Sequence, residues 1–205
     1  MIHRFFFILT FISFSHLLFG QQYSSRTGHL YVQSANRFVN IEADNYQINS
    51  TINAATGKIV LLGLLKSFEF RIGGLDQAFN SNAVKTISHP KFNYKGEITN
   101  ISTVRFNSPG TYPVKFQGVL ELWNMKRTTP GTGTITVHEN GTISIASDIS
   151  FQIEEASVQK ANQLIKSYMP SGVNIDTDKL GISRTIRVEA NGTYRKRRSS
   201  TASAN

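Results

Sequence analysis

Beyond the N-terminal apolar run the histidines are His29, His89 and His138, and any metal or general-base chemistry must begin with them. No carboxylate or second histidine stands at ligand spacing from any of the three, so each reads as a surface or turn residue. The chain contains no cysteine, which removes disulfides, thiolate metal sites and thiol nucleophiles. No Gly-x-Ser-x-Gly elbow occurs, and PGTGT at Pro130 to Thr134 lacks the Gly-Lys-Ser/Thr of a phosphate loop. Asn174, Asp176 and Asp178 have the one-three-five spacing of a calcium loop. Lys179, however, stands where that loop needs glycine, and Thr185 where it needs the bidentate glutamate. Glu154 and Glu155 are neighbours at a strand end and point to opposite faces, so they form no acid–base pair. The expectation is a protein without catalysis, metal or cofactor.

The elements that remain are those of an exported β-protein. Residues 1–20, MIHRFFFILTFISFSHLLFG, pair basic Arg4 with an apolar run and end on the small Gly20, the layout of a secretory signal peptide. His16 and the flanking serines interrupt the run before it reaches the length of a membrane span. The expected destination is the periplasm or the extracellular space. The formal charge of +9 gives no nucleic-acid signal once it is located, because Arg4 in the leader and Arg195, Lys196, Arg197 and Arg198 near the other end account for more than half of it. Residues 191–205 read as a disordered basic tail able to touch an anionic surface weakly.

Period-two alternation dominates the chain between these ends. In PKFNYKGEI, Phe92, Tyr94 and Ile98 share one face. In TYPVKFQGVLEL the matching set is Tyr112, Val114, Phe116, Leu120 and Leu122, and in GTISIASDISFQIE it is Ile143, Ile145, Ile149, Phe151 and Ile153. GISRTIRVEA closes the series with Ile182, Ile186 and Val188 inward. Turn residues separate the segments near Gly57, Pro109–Gly110, Asn124 and Asn140–Gly141, the last predicting a two-residue primed hairpin. Antiparallel strands of this length joined by hairpins predict an all-β sandwich or closed barrel.

One segment breaks the alternation. From Lys58 to Phe70, Ile59, Leu61 and Leu65 share one face while Val60, Leu62, Leu64, Phe68 and Phe70 share the other, so the strand needs apolar cover on both sides. The stretch that follows, RIGGLDQAFNSN, puts Leu75, Ala78 and Phe79 at helical spacing and predicts a short helix over 75–82. A second helix is predicted over EEASVQKANQLIKSYM, where Val158, Ala161, Ile165 and Tyr168 form one stripe and Pro170 stops it.

Gly28, then Tyr46, Ile52 and Thr56-Gly57-Lys58, then Lys66-Ser67-Phe68-Glu69-Phe70, Phe79-Asn80, His89-Pro90-Lys91-Phe92, Gly96-Glu97-Ile98, Gly110-Thr111-Tyr112-Pro113-Val114 and Gly133-Thr134-Ile135-Thr136-Val137 run in an order that resembles the short secreted members of the YceI-like domain family. The resemblance covers residues 28–190. It implies a lipocalin-like antiparallel β-barrel with one or two short helices and an elongated apolar cavity, in a family whose characterised members bind polyisoprenoid or other amphiphilic lipid tails. The expected wall comprises Leu62, Leu64, Phe68, Phe70, Leu75, Phe79, Phe92, Tyr94, Phe116, Leu120, Ile145 and Phe151. Gly63, Gly96, Gly118, Ser50 and Ser147 are gaps that leave room for a chain-like guest. Arg184, between Ile182 and Ile186, calls for a partner: an acidic head group, an internal carboxylate or solvent at the rim. The chain departs from the family in two places, carrying Trp123-Asn124-Met125-Lys126 where a His-Gly-Val-Thr turn is usual and SNAVKTIS where the segment after Phe79-Asn80 is commonly acidic and aromatic. The expected partner is a lipid or isoprenoid small molecule, and the chain a monomer or homodimer; a secreted structural module with a filled core is the alternative.

Overall fold

The computed structural model describes residues 21–35, 40–81, 88–123, 125–168 and 181–197. Its strands are β1 (Gln22–Ala35), β2 (Asn40–Asn53), β3 (Lys58–Leu64), the two-residue β4 (Glu69–Phe70), β5 (Lys91–Ile98), β6 (Gly110–Leu122), β7 (Met125–Val137), β8 (Ile143–Gln152) and β9 (Thr185–Lys196). Every pairing is antiparallel, in the order β1-β9-β8-β7-β6-β5-β3-β2, and β1 also pairs with β2. That last ladder closes an eight-stranded barrel. β4 sits beside β2 beyond the end of β3, where Phe70 faces Ala43. Helix α1 (Leu75–Phe79) lies between β4 and β5, and α2 (Glu155–Tyr168) between β8 and β9.

The barrel is longer than its sequence limits of 28–190. β1 begins at Gln22, and β9 runs to Lys196 with Tyr194 buried inside. Asn191 to Lys196 therefore belong to the sheet and not to a tail. The polar residues that mimic a tail, Thr193 and Arg195, are simply the outward half of a strand. Residues 1–20 and 198–205 lie outside the described residues, as does Asn124.

The hairpins form where side chains replace missing backbone bonds. Asn53 Oδ1 accepts from the amides of Ala55 and Thr56, and Gly57 at φ 72° completes the turn into β3. Between β7 and β8 the Gly141 amide donates to the His138 carbonyl and the His138 amide to that of Thr142. Gly141 alone takes positive φ there, 77°, so this is a three-residue loop and not the two-residue primed turn that Asn-Gly suggested. The β5–β6 connection is pinned by Asn100, whose Oδ1 accepts from the Lys115 amide at 2.8 Å and whose Nδ2 donates to the Pro113 carbonyl at 3.1 Å.

These three connections seal one end of the barrel. Tyr23, Ile52, Ile98, Val104, Val114, Ile135, Val137, Ile143 and Tyr194 form its core, with Ile135 and Ile143 fully buried. The opposite end carries α1, α2 and the β6–β7 turn. Asp76 of α1 accepts the Phe70 amide at 3.1 Å, and Asn162 of α2 brackets Ile182, accepting its amide at 2.7 Å. Ile41, Leu75 and Ile165, with Phe70, Ile72 and Ile182 against them, fasten both helices across this end.

Candidate functional site

Register settles which residues face the lumen. Ile143 pairs with buried Tyr194, and the unbroken β8–β9 ladder carries the same face through Ile145, Ser147, Ile149 and Phe151 opposite Gly192, Ala190, Val188 and Ile186. On β6 the buried Val114, Phe116 and Gly118 lead to Leu120 and Leu122. On β3, Leu61 lies opposite Tyr94 and Gly63 opposite Phe92, so Ile59, Leu61 and Gly63 point inward.

The two halves of this inner face differ. Near the sealed end Ile52, Ile98, Val114, Ile135, Val137 and Ile143 are buried outright and Ile59 and Ile145 partly so; in the other half Leu30, Ile48, Leu65 and Phe92 are buried, whereas Leu61, Leu120, Leu122, Ile149, Phe151, Ile186 and Val188 are only half-buried although they point into the barrel. Solvent reaches an inward side chain only through a lumen or an open mouth. The wall that β6, β8 and β9 give to the helix-bearing half is therefore not packed to the density of a protein interior.

An aromatic group stands over that half. Phe68 lies 6.0 Å from Phe79 and 5.8 Å from Phe92, Phe79 lies 5.1 Å from Phe70, and Phe79 reaches Trp123 at 6.1 Å. Trp123 is held there by a left-handed backbone, φ 51°, which a bulky residue adopts only when its surroundings fix it.

Polar groups interrupt the apolar wall in the middle of the barrel. Ser50 donates to the Tyr194 hydroxyl at 2.9 Å, and Tyr94 donates to the Thr129 carbonyl at 3.4 Å. Burial pushes the Tyr94 phenol up to about 12, against a smaller opposing effect of its bond to Thr129, and likewise raises that of Tyr194. Four buried polar atoms, Ser25 Oγ, Thr129 Oγ1, Trp123 Nε1 and Asn80 Oδ1, have no protein partner among the described residues. At the rim, Arg127 shares the inner face of β7 with Thr129; it donates to the Gln152 carbonyl and to Glu154, both at 3.3 Å.

A solved structure of "a polyisoprenoid binding domain from Saccharophagus degradans implicated in plant cell wall breakdown" superposes with a TM-score of 0.65 over 87% of this chain and 99% of its own, at 14% sequence identity. The fold is YceI-like. A mutant YceI protein with a monobromobimane guest matches at TM-score 0.38 and 11% identity over 85% of this chain and 86% of that one, too loosely to support any argument. No protein-family model matches the chain, and no curated protein does.

Within this YceI-like barrel the expected wall is only partly assembled. Phe68, Phe79, Phe92 and Leu120 meet in one cluster with Leu30, Ile48 and Leu65, and Phe70 and Leu75 in the adjoining one, so the rings and leucine do converge on one place. Phe151 is half-buried on the inner face of β8. Tyr94 and Phe116 are interior but already seated: a Cβ on Gly118 would come within 2.5 Å of the Tyr94 ring, and one on Gly131 within 2.3 Å of the Phe116 ring. Gly63 is filled in the same way by Phe92, and Gly96 by Tyr94. These glycines are sockets for neighbouring rings and not room for a guest. Ile145 faces the barrel interior but packs on the sealed-end core.

Leu62 and Leu64 are on the wrong face. Leu62 is 47% exposed on the outside of β3, because Gly63 must point inward to admit Phe92, and a strand apolar on both faces gives periodicity nothing to choose by. Arg184 is exposed too. It precedes β9, donates to the Ile153 carbonyl and lies 3.9 Å from Glu155. Among the described residues the inner face of β7 carries a cation, Arg127, hidden in the sequence because Thr129, Gly131 and Gly133 leave β7 without an apolar alternation.

The histidines occupy separate places. His29 meets Asp44 at 2.7 Å and stacks on Tyr46, His138 meets Ser144 at 2.8 Å, and His89 meets Ser88 at 3.0 Å. Among the described residues no group of three potential metal ligands occurs; Asn174, Asp176 and Asp178 lie outside them.

Proposed function

We propose that this chain is an exported binding protein that holds a hydrophobic or amphiphilic ligand, an isoprenoid or fatty-acyl lipid, in the helix-bearing half of its barrel, in the periplasm or outside the cell. The observation that carries this reading is the uneven inner face: Ile135, Val137 and Ile143 are buried outright, whereas Ile149, Phe151, Ile186 and Val188 are only half-buried. Covering that apolar surface with an alkyl chain gains about 25 cal/mol per Å² before the costs of binding. The apolar run over residues 1–20 supports export, and the polyisoprenoid-binding name of the similar domain supports the ligand class.

Native mass spectrometry of the protein purified gently from an exporting host, followed by extraction of whatever it carries, tests the reading. A stoichiometric long-chain lipid is expected. Protein that emerges bare and takes up neither added fatty acids nor polyprenols would leave the filled structural module in its place.

A further inference from the structure

The geometry points to the outer face of β3, β5 and β6 as a docking surface for an anionic lipid bilayer. Val60, Leu62 and Leu64 project outward from β3, Leu62 at 47% exposure. Across β5, the Lys95 position separates Val60 from Val119, itself 38% exposed. Outward apolar side chains grouped on adjoining strands mark an interaction site.

What surrounds them identifies the partner. Lys58, Lys91 and Lys95 lie beside this stripe, with Lys66 just past the end of β3 and Lys115 further along β6, all exposed. Among the described residues none of them lies in ion-pair distance of a carboxylate. Glu97 and Glu121 are the acids on the same face, and Glu121 is engaged by Asn93 at 3.2 Å. The cations are lysines without an arginine among them. Their long stems can lie along apolar surface while the ammonium stays at the level of lipid phosphates. A second copy of the chain fits poorly, because an isologous contact would set lysines against lysines.

The inference goes beyond the lumen reading and depends on it only in that a bilayer is where a lipid carrier would load. Substitutions here lie outside the barrel, so their effects stay separate from lumen binding. The test is co-sedimentation of the full chain with phosphatidylcholine vesicles containing or lacking phosphatidylglycerol. Binding should require phosphatidylglycerol and weaken as salt is raised. Each lysine neutralised should cost about fivefold, so Lys91→Gln with Lys95→Gln should lose on the order of twentyfold. Leu62→Asp should lose binding while keeping the folded spectrum, and Lys160→Gln on exposed α2 should change nothing. Equal binding to neutral vesicles, or binding unaffected by the Lys91 and Lys95 changes but lost when residues 198–205 are removed, would overturn the assignment. So would dimers in solution that Leu62→Asp dissociates.

Discussion

Replacing Gly131 with alanine separates two accounts of why the barrel interior contains glycine. A Cβ built at Gly131 lies 2.3 Å from Phe116 Cε2, 2.6 Å from its Cζ and 3.0 Å from Ile149 Cγ1. Carbon atoms rest about 3.5–4.0 Å apart, so the ring would have to move by more than about 1 Å against a buried surround. Overpacking of this kind costs about 1–3 kcal/mol, which for a domain of this size lowers Tm by roughly 2–12 °C. If the glycine instead bordered open guest space, alanine would gain about 0.5–1 kcal/mol from strand propensity and unfolded-state entropy. The two accounts therefore predict opposite signs. Urea unfolding followed by circular dichroism reads the difference, and pairing Gly131→Ala with Phe116→Leu should recover part of the loss, giving a coupling of about 0.5–3 kcal/mol. A Gly131→Ala protein as stable as wild type, or strictly additive effects in the pair, would refute the socket argument.

Tyr194→Phe should destabilise by about 1–3 kcal/mol, because it leaves Ser50 Oγ buried without its 2.9 Å partner, while Tyr194→Phe with Ser50→Ala should cost less than the single change. The barrel should lose stability in alkali. The Tyr94 phenol is raised to about 12 in the fold and Tyr194 is raised too, so their contribution is intact below about 10, the unfolded value, and falls away as pH climbs toward 12; tyrosinate absorbance should rise together with unfolding, and Tyr94→Phe should flatten the decline. Thr129→Val removes a buried hydroxyl that has no protein partner among the described residues, so stability should hold or rise by calorimetry. Val188→Phe should block lipid uptake by filling the half-open lumen with little change in the circular dichroism spectrum.

The architecture was legible because alternation is imposed by one-sided burial, and burial is what a barrel does to every strand. Both helices were legible for the same reason: Val158 and Ile165 are the buried members of the stripe on α2, and Leu75 and Ala78 those of α1. The site was less legible, and the misses share a cause. Leu62 and Leu64 look like cavity wall because β3 is apolar on both faces, and only pairing with Phe92 and Tyr94 chooses between them. Gly63, Gly96 and Gly118 look like room because sequence shows the missing side chain and hides the ring laid over it, from the next strand at Gly63 and Gly118 and from Tyr94 of the same strand at Gly96. Arg127 and Thr129 were missed because glycine and threonine along β7 erase its pattern. Trp123 stood in view as a turn residue, yet its role over the lumen follows from a left-handed φ that no neighbouring residue announces.

Trp123 is the only tryptophan in the chain and sits at the aromatic mouth, 6.1 Å from Phe79. Its fluorescence during titration with a fatty acid brominated along its alkyl chain tests lumen binding most directly, since bromine quenches only at close range. The account predicts saturable quenching at one ligand per chain, reversed by unbrominated fatty acid and abolished by Val188→Phe. Quenching that never saturates, or that survives unchanged in Val188→Phe, would contradict a guest held in the helix-bearing half of the barrel.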